Sequence, residues 1–585
     1  SLGAYGQTTL TLTINGAAAG SPVSINVSSS CVLQGKATLS PSSFTATTTT
    51  VELQYKDNGC GALQSEDRLL ASIVGGTSPS VPLTLPIVTP ESASLAFISA
   101  SPEIIYLKGS GFTETSTVVF ELRDRAGNTL PNRDVLLSLL TDSAGLLLEG
   151  GTQPVTRKSD AAGRVSVQIN SGSIPTPVRI QASLAGSTPP ISTVSSNLSV
   201  GVGLPSQQNF SLSQRTRNIE GMNIDGATNT YTIIASDRSG NPVPTGTSIN
   251  FVTESGQIEA VTQTGISPIA PAPGTYPNPG TGSQLSLAVA GFQSSNPRPE
   301  DGRVTVTAYA AGEESFIDVN GNNQYDTGEP FQDLGDLYKD RLFDGVFDAS
   351  VDEVIPLGGN RSAACVVPGS FGSVQGALLS FDVGLPSRPS TCDATWSGPG
   401  GSGARSVYVR RSIETVLSTS AARLLWADTS GLGSASCAPT TLQVGSSPLN
   451  VGSFAQVNSG QTFYFGRDGA ARNSGSLIFT VGDANQYAVG SPLTVGGARG
   501  RLNPVAAGSI ITASTPTDSV QVRVGGGSPV PSTSEASNAV IGVTFQGPTE
   551  ALVFVTVTSP SGLSTTYAIT VRTASKPGGD GSCSP

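Results

Sequence analysis

Apolar and polar residues alternate in short runs from one end of the chain to the other. Thr9-Leu10-Thr11-Leu12-Thr13-Ile14, Val23-Ser24-Ile25-Asn26-Val27 and Val51-Glu52-Leu53-Gln54-Tyr55 are the first three, and Thr566-Tyr567-Ala568-Ile569-Thr570-Val571 is the last. A period of two puts every second side chain on one face, which is the pattern of a half-buried strand. Gly, Pro, Asn and Asp separate the runs, as in Asn15-Gly16 and Ser559-Pro560-Ser561-Gly562. Long stretches with helical periodicity are missing. Many short strands between turn signals predict an all-β fold of sandwiches in series.

The runs group into four expected domains. Residues 1–92 form a unit that is short for a complete sandwich and is expected to lack or borrow a strand. Residues 93–200 form the cleanest unit. Residues 201–405 repeat its pattern with two insertions, a Pro-rich stretch at 268–279 and an acidic stretch with its sequel at 313–400. Residues 406–573 open with Ser406-Val407-Tyr408-Val409-Arg410 and close with a hairpin. Residues 574–585 read as a flexible tail.

Two segments share one motif. Val118-Val119-Phe120-Glu121-Leu122 leads into Asp124-Arg125-Ala126-Gly127-Asn128-Thr129-Leu130-Pro131, then an alternating strand, then Ser159-Asp160-Ala161-Ala162-Gly163-Arg164-Val165. Tyr231-Thr232-Ile233-Ile234-Ala235 leads likewise into Asp237-Arg238-Ser239-Gly240-Asn241-Pro242-Val243-Pro244. Asp and Gly at these spacings make a tight turn and Pro ends the pairing, so Asp124, Asp237 and Gly240 are read as turn formers. The pattern resembles the bacterial group 1 Ig-like domain of the invasin and intimin type. It is carried best by residues 116–182, well by 229–308 and poorly by the first unit and 476–500. The resemblance implies tandem Ig-like β-sandwich domains on a bacterial surface or in secreted material, serving as stalks, adhesin shafts or structural modules.

The densest run of acid lies between Asp318 and Glu353, in a chain with only 12% charged residues. Asp318, Asn320, Asn322, Gln324, Asp326 and Glu329 fall at positions 1, 3, 5, 7, 9 and 12 of a calcium-loop pattern. Hard cations such as Ca²⁺ take about 6–8 oxygens, and this spacing wraps oxygens around one point. Position 6 holds Asn323 where the pattern has Gly, and Asn tolerates the left-handed turn needed there. A second copy is weaker: Asp340, Asp344, Gly345 and Asp348 match positions 1, 5, 6 and 9, with Asp352 or Glu353 beyond. The alternation of Arg303–Tyr309 before the loop predicts a cation-binding insertion between strands rather than a helix–loop–helix hand. The insertion also resembles the paired calcium loops of some of these Ig-like proteins. Ca²⁺ is expected over Mg²⁺, because many carboxylates in a flexible loop suit the larger ion.

Composition removes several function classes. The chain has no His, which excludes a Ser-His-Asp triad, a Cys-His pair and a His-ligated metal site. A net charge of −11 disfavours nucleic acid, which needs a basic face. Six cysteines at wide spacing, Cys31, Cys60, Cys365, Cys392, Cys437 and Cys583, fit disulfides in an oxidising compartment. Cys31 with Cys60 and Cys365 with Cys392 are the natural local pairs, which leaves Cys437 with Cys583. Sequence does not choose among the possible pairings. No apolar run of about 18 residues is present to cross a bilayer as a helix.

The expected function is non-enzymatic: an extracellular, calcium-stiffened rod acting as adhesin stalk or surface-fibre subunit, with copies of itself or a cell-surface receptor as partner. The alternative is a glycan- or receptor-binding surface module, with Tyr338, Phe343, Phe347, Trp396 and Trp426 as candidate stacking residues. Against it, Phe316, Tyr325, Phe343 and Phe347 are expected to fill a small core beneath the loops. A two-carboxylate glycosidase using Glu313 with Glu314, or Asp336 with Asp340, is the least favoured class.

Overall fold

The computed structural model describes the whole chain except residues 17–19, 78, 142–144, 185, 266–285, 342–345, 358–361, 366–386, 401–405, 428–453, 467–468, 486–501 and 576–585. The protein is all-β, built of Ig-like sandwiches, and its helical segments among the described residues are single turns such as Ser30–Leu33. It divides into two compact units, Ser1–Val202 and Gly203–Pro585.

Among the described residues the first sandwich of unit 1 has seven strands: β1 (Gln7–Thr13), β2 (Val23–Ser29), β3 (Ala37–Ser40), β4 (Ser43–Ala46), β5 (Thr50–Asp57), β6 (Glu66–Ile73) and β7 (Val81–Pro86). They form a three-stranded sheet, β1-β5-β3, and a four-stranded sheet, β4-β2-β6-β7. The expectation of a missing strand is therefore overturned. Part of the difference lies in β3 and β4, whose four residues each are too short to show alternation. The inward side chains, among them Ile25, Val27, Leu53, Tyr55 and Leu69, close around the disulfide Cys31–Cys60, whose Cα atoms are 5.7 Å apart. Asp67 is buried beside them. It accepts from Ser29, from Ser30 Oγ (2.7 Å), from the Cys31 N–H (3.1 Å) and from Tyr55 Oη (2.9 Å). Burial alone raises a carboxyl's pKa, but these hydrogen bonds outweigh it and hold Asp67 below its ordinary value.

The second sandwich of unit 1 pairs Thr115–Asp124 with Arg164–Asn170 and with Ser92–Ser101 in one sheet, and Asp134–Leu139 with Val155–Lys158 and Ile180–Leu184 in the other. The motif turn works through its first residue. Asp124 Oδ1 accepts the N–H groups of Ala126 (2.9 Å) and Asn128 (2.8 Å) while Gly127 sits at φ 85°. Asp237 does the same in unit 2, with Ser239 (3.0 Å) and Asn241 (2.8 Å).

Unit 2 opens with a sandwich whose two sheets include Thr228–Ala235 and Leu287–Gln293 on one side, and Ser248–Thr253, Arg303–Gly312 and Val407–Leu417 on the other. Phe210, Tyr231, Phe251 and Phe292 fill the space between. Burying each such ring is worth about 1.5–3 kcal/mol. Val407–Leu417 runs antiparallel to Arg303–Gly312 in register from Arg303↔Val416 to Gly312↔Val407. It completes this sandwich and does not open the next, which corrects the expected boundary at 406. Its alternation reads the same in either place; only pairing assigns it. The final sandwich has the sheets containing Ser474–Asp483 with Ser537–Phe545 and Glu550–Thr558 with Ser564–Ser575.

Those two sandwiches of unit 2 meet across a polar joint. Arg303 is fully buried there. It donates to Glu414 Oε2 (2.6 Å) of its own sandwich, and to Asn503 Oδ1 (2.9 Å) and the Ser534 carbonyl (2.9 Å) of the last one. Asn218 Nδ2 reaches the Val505 carbonyl (2.6 Å), Asn503 Nδ2 the Asp301 carbonyl (2.6 Å), and Glu220 accepts from Ser561 N (2.8 Å) and Oγ (2.6 Å).

Candidate metal site

The acidic insertion leaves one strand at Gly312 and returns to its antiparallel neighbour at Val407, so it is an excursion from a single hairpin of the third sandwich. Its first loop is organised by its own carboxylates. Asp318 Oδ1 accepts the N–H groups of Gly321 (2.7 Å) and Asn322 (3.1 Å), and Oδ2 that of Asn323 (2.7 Å). Asn323 takes the left-handed conformation, φ 59°, that position 6 demands. At the far end, Glu329 Oε1 accepts the Val319 N–H (2.8 Å) and Oε2 the Asp326 N–H (2.9 Å), which closes the loop on itself. Asn322 Oδ1 accepts the Gln324 N–H (2.8 Å), which ties position 7 back to position 5.

Asp326 Oδ2 receives the side-chain amides of Asn320 and Asn322, each at 2.7 Å. The oxygens of the same two amides accept main-chain N–H groups, Asn320 Oδ1 that of Asn322 (3.0 Å) and Asn322 Oδ1 that of Gln324. By residue type, Asp318, Asn320, Asn322, Asp326 and Glu329 carry the oxygen donors a hard ion takes and no imidazole or thiolate for a softer one. Among the described residues no three His, Cys, Asp or Glu side chains are grouped closely enough to hold a metal ion among themselves.

The second acidic segment is arranged differently. Asp352 accepts the N–H groups of Arg341 (3.0 Å) and Asp348 (2.8 Å), and Asp348 accepts from Ser350 N (2.8 Å) and Oγ (2.6 Å). Asp340 is buried. Asp344 and Gly345 lie outside the described residues. What is described is a turn held by carboxylates, with its acids committed to main-chain donors.

Beneath the first loop lies an aromatic cluster. Tyr325, at loop position 8, stacks on Trp396 with ring centroids 4.9 Å apart and planes 19° apart. Phe316 meets Trp396 edge-on at 5.3 Å, and Phe331 meets Tyr325 at 5.7 Å. Trp396 is 1% exposed and its Nε1 donates to the Glu314 carbonyl (2.9 Å). Tyr338 is buried as well and packs on Phe347. Trp396 and Tyr338 therefore do not form a stacking platform for sugar. Phe343 and the Trp426 side chain lie outside the described residues.

The insertion is rooted by buried charged groups: Arg410, which the sequence reading did not single out, and Glu313 and Glu314, which it considered only as a carboxylate pair. Arg410, fully buried on Val407–Leu417, donates from both terminal nitrogens to the Gly335 carbonyl (3.0 and 2.7 Å). Glu314 accepts the N–H groups of Leu334 (2.7 Å) and Ser397 (2.8 Å), tying the two ends of the insertion together. Glu313 pairs with Arg238 at 2.8 Å. Burial pushes the Glu313 carboxyl up to about 7 despite Arg238, and Glu314 up to about 8. Both acids are inside the protein and bonded to it, which removes them as a hydrolytic pair. Alternation alone points Arg410 away from the core that its neighbour Val409 joins, so its burial under the insertion had no local signal.

Disulfide Cys365–Cys392 clips the sequel of the insertion, with Cα atoms 4.9 Å apart. Cys437 and Cys583 lie outside the described residues. No described helix is long and apolar enough to cross a membrane.

No family model and no curated protein matches the chain. Solved structures give faint likenesses. Invasin, a bacterial integrin-binding protein, is 12% identical, with 96% of this chain and 78% of that one covered and a TM-score of 0.22. FdeC, an Escherichia coli adhesin, is 15% identical over 52% of this chain and 88% of its own, with a TM-score of 0.24. The D0-D1 domain of intimin is 14% identical over 37% and 90%, with a TM-score of 0.16. Scores this low show no shared global arrangement, and the sandwich architecture rests on the registers described above.

Proposed function

We propose that the protein is a non-enzymatic, extracellular structural protein, a calcium-stiffened stalk or fibre subunit of a bacterial surface. The observation that carries this reading is the closed loop Asp318–Glu329, whose carboxylates at its first and last positions already bind the backbone that would surround an ion. Asp318, Asn320, Asn322, Asp326 and Glu329 supply the side-chain oxygens, and Gln324 a carbonyl. An ion would add its bonds to a loop already closed by its own carboxylates, so binding is expected to stabilise the loop further. Extracellular calcium modules bind at roughly 10⁻⁴–10⁻³ M, which sets the concentration range of the test.

Structural use is supported by what surrounds the loop. The two sandwiches of unit 2 are joined by buried hydrogen bonds instead of a free linker, and the disulfides suit an oxidising exterior. Isothermal titration of the full chain with CaCl₂, after chelation, tests the reading. Saturable heat that Glu329→Gln and Asp318→Ala abolish, with slower proteolysis of residues 313–400 in calcium, is the expected result. No heat at millimolar calcium, or heat that both variants retain, overturns the cation assignment. Negative-stain microscopy with and without chelator then separates single rods from filaments.

A further inference from the structure

The first sandwich guards all of its sheet edges but one. β3 and β4 end their sheets with four residues each. β7 is longer, but it is blocked. The Ile87 N–H donates to the Ser65 carbonyl (2.8 Å), so odd-numbered residues face β6 and Pro82, Thr84 and Pro86 turn their backbone outward. Two of those three positions have no N–H to offer, and the Pro86 carbonyl is taken by the Leu2 N–H (2.8 Å). Proline on the outward side of an edge strand and very short edges are how sheets avoid adding a foreign strand.

β1 has none of these guards. It is seven residues long, QTTLTLT, with no Pro, no Gly and no charge. Gly6 accepts from the Asp57 N–H (2.9 Å) and the Ile14 N–H donates to Thr49 (2.8 Å), so even-numbered residues face β5. The N–H and C=O groups of Gln7, Thr9, Thr11 and Thr13 point away from the sheet and have no backbone partner among the described residues. On the inward face Leu10 and Leu12 are only half-buried, at the margin of the core.

We infer that β1 is a docking edge for β1 of a second copy of this chain, paired antiparallel across a twofold axis at Leu10. The register follows from the side chains. Centred there, Thr9 faces Thr11 of the second copy and Gln7 faces Thr13, and all four are outward-bonding positions, so each such pair exchanges two N–H···O bonds. Leu10 faces Leu10 in the non-bonded site between them, where side chains approach most closely, and the apolar margin of each core is covered by the other. Charge favours this occupant. A chain of net charge −11 repels its own copies over most of its surface, and β1 is a stretch with no charge to oppose the contact. A twofold contact of this kind closes on itself at two copies. The inference names a partner for the structural reading above and rests on it for its use, while its geometry lies in unit 1 and does not involve the cation loop.

The test is sedimentation equilibrium of the full chain from about 1 to 100 µM, with and without chelator. A dimer is expected in both conditions, so a failed cation assignment leaves this outcome readable. Thr11→Pro deletes one outward N–H and keeps every bond to β5; Thr9→Lys places like charges across the axis. Each is expected to weaken dimerisation at least tenfold with an unchanged melting curve, and Thr9→Lys decides the matter if Thr11→Pro fails to fold. Leu10→Cys reads the register, because non-bonded antiparallel pairs hold Cα atoms about 4.5 Å apart, inside the range of about 4.4–6.8 Å that a disulfide spans. An interchain disulfide in this variant and not in the wild type supports the axis at Leu10. A monomer at every concentration, a dimer indifferent to both edge variants, or a dimer that Leu10→Cys does not cross-link overturns the inference.

Discussion

Arg303 and Glu414 form an ion pair of 2.6 Å in which the Arg side chain is wholly buried and the Glu side chain 5% exposed. The remaining Arg303 donors bind Asn503 and Ser534 of the next sandwich, so one guanidinium fixes both a strand pair and a domain joint.

Removing only one partner leaves a charge inside the protein, which costs about 3–5 kcal/mol, whereas replacing both with apolar groups is often neutral. Arg303→Met is therefore expected to lower the unfolding free energy of unit 2 by that order. Arg303→Met combined with Glu414→Leu recovers most of the loss in its own sandwich but not the joint. Urea unfolding of the three variants checks the first point, and proteolysis between the two sandwiches checks the second.

Glu313, Glu314 and Asp483 are buried acids, raised by burial to about 7, about 8 and about 7. Each keeps its proton in the fold after the unfolded chain has lost it. Their stabilisation is complete below the ordinary carboxyl range near 4 and is lost as pH rises through these values. Thermal melts of unit 2 are expected to fall from about pH 5 to pH 8. Glu314→Gln, which keeps an acceptor for Leu334 or Ser397 and cannot ionise, flattens that slope; an unchanged slope refutes the assignment to this residue.

Opening a disulfide releases an unfolded-state loop, worth roughly 3 kcal/mol at separations of 29 and 27 residues. Paired Cys→Ser replacement at Cys31 and Cys60 is expected to act on the whole first sandwich, because both sulfurs lie in its core. Replacement at Cys365 and Cys392 loosens the insertion and leaves the strands around Arg303 protected. Hydrogen exchange by mass spectrometry reads both.

Tyr325 joins the acidic loop to Trp396, which gives the proposed cation site an optical reporter. Chelation is expected to change tryptophan emission in the wild type, and Trp396→Phe removes most of that change while calcium heat persists. Emission that ignores calcium in a protein that binds it shows that loop order stops short of the cluster.

The all-β class, the Asp124 and Asp237 turns and the left-handed Asn323 were all legible in the sequence, because each depends on residues within about ten positions of one another. Alternation, turn chemistry and loop spacing are local properties. The tertiary structure alone decided that Val407–Leu417 completes the third sandwich, that the first sandwich has seven described strands, that Arg303 reaches Glu414 and Asn503, and that Trp396 and Tyr338 are interior. An alternating strand looks the same beside any neighbour, and an aromatic residue looks the same exposed or covered. What separates the cases is which distant segment packs against it, and that is settled by long-range pairing for which the chain carries no local mark.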